Sequence, residues 1–240
     1  GAMAREDTIG YIANYPIFGV PAGINAFALG AQMVNPNAKI LLHWSCTAGD
    51  PGDLFEKRGV TVISNRESPS PEQAAAGWGW GLSLFTPERQ EIPLAAPCWN
   101  WGTFYEKVIR GIFQGTWDSA KESGTAINYW WGLSSGVIDV QLGQDLPEGV
   151  ARMARLLKQA IASGALDPFA CKIFDQDGQM RCDGKAPLTP EEIVKMDWLC
   201  QGVEGSIPGF EELLPMSRSM VRLLGLYRDS IPPETEGALL

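Results

Sequence analysis

The 240-residue chain carries one histidine, His43, and that scarcity removes whole classes of chemistry. A Ser-His-Asp or Cys-His triad would have to be built on it, and no Gly-x-Ser-x-Gly nucleophile elbow occurs. His43 lies inside an apolar run, where a lone histidine reads as a satisfied core residue. Positive charge is also scarce: 19 Lys and Arg stand against 28 Asp and Glu, a net charge of −9. That balance suits neither nucleic acid nor an anionic membrane surface, and no Lys/Arg run interrupts it. Walker-type and Rossmann-type phosphate loops are absent. So is any apolar run of about 18 or more residues. The five cysteines (46, 98, 171, 182 and 200) include no CxxC or Cys/His spacing for a metal. Asp175-Gln176-Asp177-Gly178 starts like an EF-hand loop but lacks the closing glutamate, so it reads as a tight turn. No catalytic residue, cofactor or metal is expected.

Tryptophan is what the chain has in excess. Seven of its nine lie between Trp78 and Trp131, six of them in Gly77-Trp-Gly-Trp-Gly, Cys98-Trp-Asn-Trp-Gly and Tyr129-Trp-Trp-Gly. Rings beside glycine let backbone and flat apolar faces approach closely, which builds a cleft for a planar ligand as readily as a core.

Alternating short elements predict an α/β fold with a parallel sheet flanked by helices. Strands are expected at 9–13, 39–44, 60–64, 80–85 and 94–98. Helices are expected from Ile24 to Val34, over 51–58, 68–76 and 101–114, and, strongly amphipathic, over 148–163. One or two strands fill 129–142, broken near Ser134-Ser135-Gly136, after a polar loop at 118–124. A hairpin over 169–182 would set Cys171 opposite Cys182 in a hydrogen-bonded register, poor for a disulfide, so thiols are expected. Thr189-Pro190-Glu191-Glu192 reads as a capping box opening a helix to about Cys200. A last helix over 211–227 aligns Leu213, Met216, Met220 and Leu224, and 231–240 reads as a tail. Gly1-Ala2-Met3 reads as a cleavage scar, with natural chain upstream.

Several motifs, in order, resemble the basic membrane protein family, the purine-nucleoside-receptor-like lipoproteins that bind substrates for ABC transporters. They include Ile9-Gly-Tyr-Ile-Ala, Gly23-Ile-Asn-Ala-Phe, Ser68-Pro-Ser-Pro-Glu, Trp99-Asn-Trp-Gly, Gly136-Val-Ile-Asp and Gly202-Val-Glu-Gly-Ser-Ile-Pro. The resemblance covers residue 9 to about 208. It implies a type I periplasmic-binding-protein-like lobe, the second of two. Residues 4–208 would form that lobe, with a hinge-crossing segment at about 98–134. Residues 209–240 would be a C-terminal helix and tail. The helix after Trp101 would pack on a first lobe or on a second copy of the chain. It also implies a non-catalytic module on the outer side of a cell membrane, serving an ABC permease. A cytoplasmic location is the alternative.

Two departures concern the pocket. Gly81-Leu-Ser-Leu-Phe stands where relatives carry a Tyr-Asp-Ser-Asp-like segment, and Gly132-Leu-Ser-Ser-Gly where they carry Gly-Leu-Lys-Asp-Gly. Serine replaces groups that make charge-assisted bonds to ribose hydroxyls. The ligand that the resemblance implies is a small solute, nucleoside-like in kind. Its expected lining is Tyr15, Phe18, Trp78, Trp80, Asn100, Trp101, Ser134, Ser135 and Asp139, with Trp80 and Trp101 stacking and Asn100 and Asp139 hydrogen-bonding. The alternative is an interaction or regulatory domain that kept the fold and lost the ligand.

Overall fold

A computed structural model describes residues 1–4, 6–65, 81–88, 90–116 and 131–227. The expected helix over 68–76, the loop at 118–124 and the tail at 231–240 lie outside them. The strands are β1 (Thr8–Ala13), β2 (Lys39–Trp44), β3 (Val62–Asn65), β4 (Gly81–Phe85), β5 (Glu91–Trp99), β6 (Ile138–Leu142), β7 (Lys172–Phe174), β8 (Met180–Asp183) and β9 (Val203–Glu204). The α-helices are α1 (Val20–Val34), α2 (Pro51–Lys57), α3 (Trp101–Phe113), α4 (Glu148–Ala162), α5 (Pro190–Val194) and α6 (Pro215–Leu224). They form two compact units, one of residues 1–92 with 168–240, the other of 93–167.

The first unit is an α/β sheet in the order β4-β3-β1-β2-β9. β1 pairs in parallel with β2 and β3, and β2 with β9. One face packs under α1, whose Ile24, Ala28 and Ala31 are buried, and Tyr11 meets Phe27 edge to face at 5.0 Å. The other face holds Leu41, Phe55 and Val60 with Ile12, Leu54 and Ile63. A Cβ on Gly10 would come within 3.0 Å of the Phe55 ring, so a glycine in β1 lets α2 settle on the sheet. α1 starts from Gly19 at φ 83°, with Pro21 in its first turn, and stops before Pro36. Asp50 caps α2 by accepting the Asp53 N–H at 3.1 Å.

Four expectations need correction. β4 runs antiparallel to β3, with Ile63 opposite Ser83 and Asn65 opposite Gly81. A short apolar run carries no information about strand direction. In the hairpin, Cys182 faces Ile173 rather than Cys171, because the register shifts between Ile173 and Phe174; all five cysteines are thiols. α5 has its capping box but ends at Val194, since Asn25 claims the backbone of Trp198 and Cys200 in a non-helical path. The last helix begins only at Pro215, because the residue before a proline avoids helical geometry. Its apolar line also points outward. Ser217 and Val221 are buried, while Met216 is 85% exposed and Met220 41%. Arg218 and Arg222 lie over the Phe210 ring on the other side, at 5.7 and 5.0 Å.

In the second unit β5 pairs antiparallel with β6, from Ala95 opposite Leu142 to Trp99 opposite Ile138. Its buried hydrophobics among the described residues are Leu94, Val137 and Ala151. α4 keeps its expected amphipathic face half-buried and ends at Ala162, with Ser163 as its cap before Gly164 at φ 74°.

Candidate functional site

Five of the expected lining residues gather in the second unit, where β5 passes into α3 and a 3-10 turn (Leu133–Ser135) leads into β6. The main-chain N–H of Asn100 donates to Val137 O at 2.7 Å and its side-chain Nδ2 to Gly136 O at 2.9 Å. These bonds hold the start of α3 against the turn. Ser135 Oγ donates to Gly132 O at 2.7 Å and accepts the Val137 N–H at 3.1 Å. Its hydroxyl therefore shapes the turn. The exposed Ser134 hydroxyl has no hydrogen-bond partner among the described residues.

Beside these groups stand four aromatic rings. Trp101 is 56% exposed and meets Phe104 edge to face at 5.8 Å; its plane is tilted 31° from Tyr105 at 6.3 Å. Phe104 also meets Trp131 at 5.5 Å, and the Lys107 ammonium sits 5.9 Å from the Trp131 ring centre. Tyr105, Trp131 and Lys107 were not among the expected lining. The helical spacing 101, 104, 105 and the Tyr-Trp-Trp-Gly cluster were the signals that pointed to them.

Asp139 is already engaged. Its Oδ1 accepts from Lys158 Nζ at 2.8 Å and from the Val140 N–H at 2.7 Å. The Lys158 bond, then the Val140 bond, hold its carboxyl below the usual carboxylate range. The pair neutralises itself, so the charge left beside the aromatic rings is the Lys107 ammonium over Trp131.

Tyr15 and Phe18 belong to the first unit, in the loop after β1. β1, β2 and β3 are parallel, so their carboxyl ends, Ala13, Trp44 and Asn65, share one edge of the sheet. That edge is where open α/β sheets bind ligands. Tyr15 and Phe18 are half-buried there. Trp78 and Trp80 lie outside the described residues. His43, near the end of β2, corrects the expectation of a satisfied core residue: its buried Nε2 has no hydrogen-bond partner among the described residues. Burial lowers its pKa, and Asp50 opposes this in part.

Two cavities in the first unit avoid all of these residues. One, of about 370 Å³, is lined by Arg181, Glu191, Glu192, Lys195 and Trp198. The other, of about 540 Å³, lies at the amino end of β2 among Gln32, Lys39, Lys172 and Phe174. The first carries paired charges, Arg181 with Asp175 at 2.7 Å and Lys195 with Glu191 at 2.6 Å, and at the second Lys39 pairs with Glu204 at 3.3 Å. Among the described residues no helix is long and apolar enough to cross a membrane, and no His, Cys, Asp and Glu group is placed to hold a metal.

No protein-family model matches the chain. It is 28% identical over 220 residues to a purine-binding protein of Brucella abortus, covering 86% of this chain and 60% of that protein. It is also 28% identical over 225 residues to a putative ABC transporter glucose-binding protein of Haloferax volcanii, covering 87% of this chain and 52% of that one. The chain thus spans between half and three fifths of these relatives' lengths. Both support the substrate-binding kind that the sequence motifs resemble.

Proposed function

We propose that this chain, kin to the substrate-binding proteins of ABC transporters, recognises a small uncharged solute with a flat ring and does not transform it. The observation that carries this reading is the aromatic shelf of Trp101, Phe104, Tyr105 and Trp131 beside Asn100 and Ser134. A flat apolar face with a few neutral hydrogen-bonding groups suits a nucleobase or nucleoside. Asp139 and Lys158 cancel one another. A phosphorylated ligand would find no unpaired cation from that pair.

The kinship supports a purine or nucleoside-like ligand over an unrelated one, since one relative is named for purine binding. A sugar is the second class to test, because the other is named for glucose. Neither relative favours the alternative of a domain that lost its ligand. Within the same reading, the chain serves as one lobe of an extracytoplasmic binding protein that delivers solute to an ABC permease.

Calorimetry tests the ligand class. Adenosine, guanosine and glucose are titrated beside adenosine 5′-monophosphate. The proposal expects heat from a neutral nucleoside and none from the monophosphate. Binding of the monophosphate alone would overturn it.

A further inference from the structure

The loop after β1, residues 14–19, has no secondary structure of its own apart from one bridge, and the end of α6 supplies that bridge. Ile17 forms an antiparallel bridge with Gly225. The Phe18 N–H donates to Leu224 O at 3.4 Å, and the Leu226 N–H donates to Pro16 O at 3.2 Å. Three consecutive residues of the C-terminal segment thus run beside three of the loop, though some 200 positions separate them. The far side of the loop is held too: the Gly19 N–H donates to Val194 O at 2.9 Å.

Gly225 is the pin of this contact. It leaves α6 in an extended conformation, φ −65° and ψ 153°, which any residue adopts, so backbone freedom does not explain the glycine. Space does. A Cβ there would collide with the Val221 carbonyl oxygen and stand 2.7 Å from Val221 Cγ1. Val221 is fully buried and cannot yield without moving the helix. Just beyond, the Tyr227 hydroxyl donates to Pro208 O at 2.7 Å, which ties the segment down on its other side. The outward turn of Met216 and Met220 has the same origin: Val221 inward and Gly225 on the loop fix the rotation of α6.

We infer that residues 224–226 act as a strap that positions the loop of Tyr15 and Phe18, with Gly225 as its positioning residue. The strap holds the backbone of the loop, and thereby aims two side chains at the carboxyl edge of the sheet. That it thereby tunes ligand affinity rests on the function proposed above; that it holds the loop does not.

Hydrogen exchange of the full chain tests the strap. Gly225→Ala drives a methyl into Val221, and Leu226→Pro deletes one strap donor. Val221→Ala serves as the comparison, because it loosens α6 packing without touching a strap bond. Both strap variants should speed exchange over residues 15–19 at least about tenfold, with β1 unchanged and with a smaller effect from Val221→Ala. Unchanged exchange in the loop, or equal acceleration in loop and β1, overturns the inference. In parallel, the strap variants should weaken adenosine binding several-fold. Fast loop exchange with unaltered adenosine affinity retains the strap and removes its role in recognition. If the unaltered chain binds no adenosine, the function proposed above fails and the exchange data still decide the strap.

Discussion

The Asn25 side-chain carbonyl accepts the backbone N–H of Cys200 at 2.8 Å, across 175 positions of sequence. Its Nδ2 donates to Trp198 O at 2.9 Å and lies 3.6 Å from Met196 Sδ. Asn25 is fully buried in α1. One amide thus satisfies two backbone groups of the segment leading into β9, and fixes where that strand begins.

Asn25→Leu should therefore cost stability although it adds apolar surface to a core helix. It leaves a buried N–H and a buried C=O unpaired, each worth about 1–3 kcal/mol. We expect a loss of about 2–4 kcal/mol in urea denaturation. A loss under about 1 kcal/mol would show that water or a shifted backbone replaces the amide.

His43 makes the first unit sensitive to mild acid. Burial holds its folded pKa below the ordinary value, so the unfolded chain takes up the proton first as pH falls below about 6.5. The stability of the neutral imidazole is present above that pH and is lost as pH falls through the folded value. The urea midpoint should drop between about pH 7.5 and 5.5 in the unaltered chain, and drop less in His43→Leu. Parallel decreases in the two proteins would contradict this.

Beyond the ring of Tyr105, α3 carries Ile109, Ile112 and Phe113 at 52, 54 and 86% exposure. Covering such side chains is worth roughly 1.5–3 kcal/mol each. An apolar stripe of this kind on a free molecule drives association. The isolated chain should form dimers or larger species at roughly 100 μM, a two-fold pairing of α3 being the simplest. Ile109→Asp should dissociate them. Monodisperse monomer by light scattering at that concentration would count against the prediction.

Much of the first unit was legible because its elements carry strong local signals: β-rich apolar runs, Pro51 and Pro190 at helix starts, and Pro36 at a helix end. Strand direction was not, since β4 reads the same either way. β9 escaped because two residues make no pattern. The rotation of α6 escaped because its visible apolar line, Met216 to Leu224, is outbid by Val221 and by the strap at Gly225, both tertiary effects. In the second unit the aromatic clusters marked where Trp101, Phe104, Tyr105 and Trp131 come together. The chemistry of individual side chains was less visible: Ser135 spends its hydroxyl on its own turn, and Asp139 on Lys158, a partner 19 positions away.

Solute recognition as proposed here turns on Trp101 as a ring that stacks on the ligand. Calorimetric titration of adenosine into the unaltered chain and into Trp101→Ala tests this directly. Serine stands in for the charged pocket groups of the family that the sequence resembles. We therefore predict a weak dissociation constant, roughly 100 μM or above, equivalent to about −5.5 kcal/mol or less in magnitude. The heat should vanish in Trp101→Ala with its thermal unfolding unchanged, and adenosine should be recovered intact. Equal binding by both proteins, or no heat from either up to several millimolar, would contradict it.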